Sequence, residues 1–273
     1  MSKVRKPSAA GYFYPADPAK LQDEIELLLS ISTPDKNIKN VFGIISPHAG
    51  YIYSGRTAAY AFNLVKDVSY ENIIIISPSH REYFPGISIY DGDAFETPLG
   101  DIPVNNYIAQ ELTDRSKLIF KGISGHRQEH AIEVQLPFLQ TVLKNFSIVP
   151  IVMGDQGRSF IDELSLKLTE VVDDKTLVVA SSDLSHYHSK AEAYKLDSVV
   201  EKRISDFDYD QLQFDLEERL CEACGGGPIV SMMKTAALQK KKETAILNRS
   251  DSGDVSGDNK EVVGYLSAAV YGE

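Results

Sequence analysis

The sequence predicts one α/β domain with a mainly parallel central sheet flanked by helices. Three observations carry this. Four short runs are apolar at successive positions, Val41–Ser46, Asn72–Ser77, Ser147–Met153 and Thr176–Ala180, the pattern of strands covered on both faces. The segments between them place apolar residues at three- and four-residue steps, the period of an amphipathic helix. No Pro/Gly/Ser-rich linker and no internal repeat divides the 273 residues, so residues 1–273 read as a single domain.

Taken in chain order, Ala19–Leu29 predicts a helix before the first strand, and Gly55–Val65 predicts one between the first and second. Gly86–Tyr90 suggests a further strand, Val104–Thr113 a helix, and Glu129–Leu143 a helix leading into the third buried run. Phe160–Val172 and Glu192–Ile204 predict helices on either side of the fourth. The charged segment Asp210–Leu220 also reads as helical, and Ile229–Leu238 predicts a helix with Pro228 suited to its first turn. Ser250–Asp258 is rich in Ser, Gly and Asp, which predicts a loop before a last strand, Val262–Tyr271.

Composition excludes several function classes. There are 39 acidic against 28 basic residues, a net charge of −11, and an acidic surface repels phosphate backbones, so nucleic acid is not expected as a partner. The basic triplet Lys240-Lys241-Lys242 reads as the solvated end of a helix. No apolar run approaches the roughly 18–20 residues that span a bilayer, so no membrane association is expected. The basic start Met1–Lys6 is followed by no apolar signal core. A soluble, cytosolic protein is the expectation, and two cysteines do not make a secreted disulfide scaffold.

Polar residues gather where the buried strands end. The first strand runs into Pro47-His48-Ala49-Gly50-Tyr51, the second into Pro78-Ser79-His80, and the fourth into Ser182-Asp183-Leu184-Ser185-His186-Tyr187. Ligands of open α/β sheets bind at the carboxyl ends of strands, and parallel strands aim those ends at one rim. Three histidines in the same topological position are therefore candidate ligands or bases. The prolines stop the strands, and Gly50 permits a tight turn beside His48. Cys224, in Ala223-Cys224-Gly225-Gly226-Gly227-Pro228, precedes a helix, and a helix N-terminus favours the thiolate that binds metals or attacks electrophiles. A small buried hydrophobe is the competing reading of that segment.

Other motifs point elsewhere with less support. Cys221 and Cys224 form C-x-x-C, but a charged helix rather than a strand precedes them, and a zinc ribbon needs a second pair. His126-Arg127-Gln128-Glu129-His130 matches H-x-x-E-H of some zinc proteases. Because His126 directly follows Gly125, the expectation is instead that Glu129 and His130 cap a helix, face the pocket and orient its ligands. Ser182 with His186 suggests a serine nucleophile, but the G-x-S-x-G elbow is missing.

Taken together, the motifs resemble the Memo family. They comprise Arg5-Lys6-Pro7, Gly11–Pro15, Pro47–Tyr51 with Ser54-Gly55, Pro78-Ser79-His80, Glu129–Glu133, Ser181–His186, Ala223-Cys224-Gly225 and Gly264–Ala269. The resemblance runs in order over nearly the whole chain. It implies a fold related to the LigB-type class III extradiol dioxygenases and a pocket of two histidines and a cysteine, here His48, His80 and Cys224. His186 matches the dioxygenase acid–base histidine, with Asp183 beside it. His126 stands where relatives often carry an acidic residue, and Ser77 where glycine is common. Component B of the AmmeMemoRadiSam set is a label of the same family, implying AMMECR-type and radical SAM partners.

Two functions follow as expectations. One is a metal-dependent oxidoreductase, with Fe(II) the first choice of metal and Cu or Zn as alternatives, in which His186 and Asp183 move a proton on a small-molecule substrate. Tyr51 or Tyr187 would close its pocket. The other is a binding or scaffold protein that keeps the dioxygenase-like pocket for a peptide or protein partner.

Overall fold

The computed structural model describes residues 3–34 and 38–272; Met1 and Ser2 of the basic start lie outside the described residues. Among these, the strands in chain order are β1 (Val4–Arg5), β2 (Val41–Ser46), β3 (Asn72–Pro78), β4 (Ile87–Tyr90), β5 (Ala94–Thr97) and β6 (Gly100–Pro103). There follow β7 (Ile119–Gly122), β8 (Ser147–Met153), β9 (Thr176–Ser181), β10 (His186–His188), β11 (Glu243–Asp251) and β12 (Val262–Tyr271). The main sheet has the order β10-β12-β2-β9-β3-β8-β4-β7, with β11 on the other edge of β12. Its centre, β2-β9-β3-β8, is parallel throughout and is formed by the four buried runs. β12 joins β2 antiparallel and β4 joins β8 antiparallel, so the sheet is mixed at its flanks. A small second sheet pairs β1, β5 and β6.

The four successive isoleucines of β3 explain why these runs do not alternate with polar residues. Neighbouring side chains of a strand point to opposite faces. Ile73 and Ile75 enter one core with Leu21, Phe62 and Leu139, from helices α1 (Pro18–Ser30), α2 (Arg56–Leu64) and α4 (Leu136–Val142). Ile74 and Ile76 enter the other with residues of α3 (Asn106–Thr113), α5 (Arg158–Val171), α6 (Lys190–Ser205), α7 (Tyr209–Glu217) and α8 (Gly226–Leu238). Each isoleucine is fully buried, worth about 1.5–3 kcal/mol apiece in transfer energy. No helix of the described residues is long and apolar enough to cross a membrane.

Two expectations are corrected. The helix expected from Glu129 begins later: Glu133–Gln135 form one 3-10 turn and α4 starts at Leu136, with Pro137 in its first turn. Glu129 and His130 therefore lie in a loop, and neither side chain caps α4. Ser250–Asp258 is only partly loop, since β11 runs to Asp251 and one helical turn covers Gly253–Ser256.

Candidate metal centre

Because β2, β3 and β9 are parallel, Ser46, Pro78 and Ser181 end on one rim, and the residues after them meet above it. Cys224 arrives on the same rim from the residue before Gly225, the N-cap of α8. Its approach depends on Gly225: a Cβ there would collide with the Ser181 carbonyl oxygen and with Ser182. The imidazole nitrogens of His48 and His80 and the Cys224 sulfur come within 4.8 Å of one another.

The hydrogen-bond network fixes which nitrogens face the centre. Gln135 Nε2 donates to the Pro47 carbonyl and to Ser181 Oγ (2.8 Å), while Ser181 Oγ donates to the Ala131 carbonyl at 2.8 Å. The serine proton is thus used, so His48 Nδ1, 2.9 Å away, must be the donor in that contact. His48 Nε2 is left with its lone pair, 3.1 Å from Cys224 Sγ. His80 Nδ1 donates to Glu129 Oε1 at 2.8 Å, and its backbone N–H donates to Glu129 Oε2 at 2.7 Å, which frees the His80 Nε2 lone pair. A carboxylate or hydroxyl behind the imidazole is the usual arrangement around metal-bound histidine.

Asp183 holds the other two candidate ligands to each other. Its carboxylate accepts from the His48 backbone N–H at 2.8 Å, its N–H points to Cys224 Sγ at 3.3 Å, and its carbonyl accepts from Cys224 N–H at 3.2 Å. Burial, followed by the field of His80, pushes the His48 imidazole well below its usual value, so it is neutral and able to bind a cation. Burial likewise pushes the Cys224 thiol up, with the Asp183 charge adding to it, and raises Asp183. Glu129 goes the other way. Its burial alone would raise it, but the His80 and Ala131 hydrogen bonds outweigh that and hold it at about 2.

The remaining candidates are distributed unevenly. His130 joins the cluster, its ring 4.7 Å from His80 and 5.4 Å from His48, and burial lowers it to about 4. His186 and Cys224 both line a cavity of about 610 Å³, walled by Leu184, Leu216 and Glu222. No hydrogen bond joins the His186 imidazole to Asp183, its expected partner in moving a proton; the Asp183 carboxylate instead accepts from the His48 backbone N–H. Tyr51 does not close the pocket: it is buried in the core, its hydroxyl donating to the Val134 carbonyl at 2.7 Å and its ring against Tyr14 and Phe138. Tyr187 is 72% exposed, its ring 5.8 Å from His186.

Competing motifs dissolve on geometry. His126 is turned away from His130 and packs against Tyr90 and Phe95, with Nε2 on the Ser88 carbonyl, so no H-x-x-E-H helix exists. Cys221 and Cys224 are both free thiols. Ser182 Oγ donates to the Asp183 carbonyl and accepts from Gly225 N–H, which employs it structurally.

Sequence reasoning missed the clamp that carries this loop. Buried Glu133 accepts from Arg5 Nη1, from the N–H groups of Ser8 and Ala9, and from the Tyr14 hydroxyl. Arg5 also donates to the carbonyls of His126 and Glu129. Arg5, Tyr14 and Glu133 all lie within motif segments, but nothing local in the sequence pairs residues 128 positions apart.

A family profile described as Memo-like protein matches residues 5–269. The chain belongs to the Memo family. A MEMO1 family protein of Thermoplasma volcanium is 38% identical over 266 residues, covering 97% of each chain. One of Thermotoga neapolitana is 36% identical over 277 residues, covering 97% of this chain and 99% of its own. Among solved structures, an uncharacterized Escherichia coli protein superposes with a TM-score of 0.50 at 12% identity, over 74% of this chain and 86% of that one. That likeness speaks to the fold alone. In this Memo-family chain His, Cys and Glu side chains are grouped so that they could hold a metal ion.

Proposed function

We propose that His48, His80 and Cys224 hold a redox-active metal ion, Fe(II) in the first instance, and that the protein is a metal-dependent oxidoreductase for a small molecule. One observation carries the reading: two imidazole lone pairs and a sulfur converge, and each imidazole is locked in the metal-binding tautomer by a network that uses its other nitrogen. Three protein donors leave coordination positions for substrate and dioxygen, and the ion would supply Lewis acidity and one-electron chemistry there. The thiolate in place of a carboxylate favours softer ions, which keeps Cu and Zn as alternatives.

The protein's own residues do the rest. Ser181 and Glu129 orient the two imidazoles, Asp183 fixes the His48 backbone against Cys224, and His186 on the cavity wall is placed to give or take a proton. The decisive experiment is metal analysis of protein purified anaerobically and supplied with Fe(II), Cu(I) or Zn(II). Wild type should hold about one ion per chain at this site, lost in His48→Ala and Cys224→Ser. Equal, low metal in wild type and both variants sinks the reading. Oxygen uptake with a panel of catechols should fall in His186→Ala; unchanged uptake removes His186 from the mechanism.

A second reading is favoured by exposed tyrosines. Tyr12, Tyr53, Tyr83 and Tyr187 are exposed and lie on segments that carry or adjoin Phe13, His48, His80 and His186. Exposed aromatic side chains of this kind suit a protein that binds a peptide or protein partner without turnover. If the metal experiment fails, this is the reading that stands.

A further inference from the structure

Beside the proposed centre lies a second set of candidate ligands, which overlaps the first only at His80. Glu129 Oε1 is 2.8 Å from His80 Nδ1 and 3.3 Å from His130 Nδ1. Candidate ligand atoms of His80, Glu129 and His130 all fall within 4.8 Å of one another. Ligand atoms about 2.0–2.2 Å from a shared ion, at angles between square and tetrahedral, are themselves about 2.9–3.4 Å apart. The two measured edges are close to that size.

His130 supplies the second, independent observation. Its Nδ1 is buried and makes no hydrogen bond, because the Glu129 oxygen lies near it but out of line. Buried polar nitrogens are almost always satisfied, so an orphan beside a carboxylate asks for a partner. The ring cannot easily turn to find another. Phe13 packs against it, ring centroids 4.4 Å apart and tilted by 32°, and the His130 carbonyl accepts from Val134 N–H at 2.9 Å, which holds the backbone.

We infer that His80, Glu129 and His130 form a second divalent-cation site, with His80 shared between two ions. In this arrangement His80 Nε2 faces the first ion and Nδ1 the second. Binding the second ion takes the Nδ1 proton, which leaves to solvent, so His80 bridges as an imidazolate and no oxidant or reductant is needed. Two nitrogens and one oxygen make a harder donor set than the first site with its sulfur, and suit Zn(II), Co(II) or Fe(II) more than Cu(I). The inference shares His80 with the proposed centre but stands on its own residues.

The test is titration of metal-free full-length protein with Co(II), read by bound metal per chain and by the thiolate-to-cobalt charge-transfer band, and repeated with Zn(II). Wild type should take two ions, only one of which develops the sulfur band. His130→Phe keeps the ring packing against Phe13 and removes both nitrogens, so it should take one ion with the sulfur band intact. Glu129→Gln should weaken the second ion at least tenfold. Cys224→Ser should keep one ion and lose the band. One ion in wild type and an unchanged isotherm in His130→Phe overturn the second site while leaving the first in place. No ion in wild type overturns both. Loss of the sulfur band in a His130→Phe protein with a native melting curve would assign His130 to the first centre instead, which also overturns the inference.

Discussion

Replacing Arg5 with methionine should be among the most damaging single changes outside the ligands themselves. The Arg5 and Glu133 side chains are 5% and 0% exposed, and their ion pair is the hub of the clamp on the 126–133 loop. A buried pair stripped of one partner typically costs about 3–5 kcal/mol, because the remaining charge stays in a poorly solvating interior. Part of that is offset here, since Ser8, Ala9 and Tyr14 still donate to Glu133. Against this, the carbonyls of His126 and Glu129 lose a donor each, at about 1 kcal/mol apiece. The net expectation is about 4 kcal/mol, a large share of the roughly 5–15 kcal/mol available to a folded domain. Urea unfolding followed by circular dichroism at neutral pH measures it. The pH dependence gives an internal control. Burial pushes Glu133 up, but Arg5 and the other donors outweigh it and hold the carboxyl below its ordinary value of 4.5. A depressed folded value contributes stability above 4.5 that is lost as pH falls through the folded value. Without Arg5 the carboxyl protonates more readily, so the gap between wild type and Arg5→Met should narrow as pH falls through and below that range. Arg5→Met/Glu133→Gln should recover part of the loss at neutral pH. A cost under about 1 kcal/mol, the size of an exposed pair, would refute the reasoning.

Three further outcomes are expected. Glu129 sits at about 2 in the folded protein against 4.5 ordinarily, so it contributes about 3 kcal/mol above 4.5 that disappears as pH falls towards 2; the stability deficit of Glu129→Gln should close over that window, and a gap independent of pH would contradict this. Gly225→Ala forces a Cβ onto the Ser181 carbonyl and Ser182, which should cost about 1–3 kcal/mol in urea unfolding and weaken metal binding by shifting Cys224; a native melting curve with native affinity would show that the strand end yields freely. The Cys224 thiol is pushed up and therefore protonated at neutral pH, so binding of the first Zn(II) should release about one proton from the sulfur. Calorimetry in buffers of different ionisation enthalpy detects that proton, and Cys224→Ser should release about one proton fewer per chain than wild type.

The parallel centre of the sheet was legible because burial on both faces leaves a run with no polar alternation, as in Ile73–Ile76. The strand-end histidines were legible because parallel strands aim their carboxyl ends at one rim. The short strands β5, β6 and β7 were not, since segments such as Gly100–Pro103 are exposed except at Ile102 and carry no period. The start of α4 is marked in the sequence by Pro137 rather than by apolar spacing: the spacing runs back past Leu136, but a proline restricts its predecessor and belongs in a first turn. Sequence distance does not report the pocket, since Tyr51 follows His48 closely yet is buried in the core. The turn Tyr51–Gly55 aims its ring into the core instead.

What the structure adds is the reason the site needs so many distant motifs. His48, His80 and Cys224 come from three segments, yet the atoms that orient them are mostly second contacts: the Ser181 hydroxyl, the Glu129 carboxylate, and both the backbone and the carboxylate of Asp183. Glu129 in turn stands on a loop held by Arg5 and Glu133, from opposite ends of the first half of the chain. Every layer is satisfied by the protein alone, apart from orphans such as His130 Nδ1. The ordering that a zinc finger obtains from its metal is here already supplied by two hydrophobic cores. Metal should therefore raise the stability of this fold only by mass action on a preformed site. Chelation should leave the far-ultraviolet dichroism of the protein unchanged, and unfolding on chelation would show that the centre is structural rather than a place for chemistry.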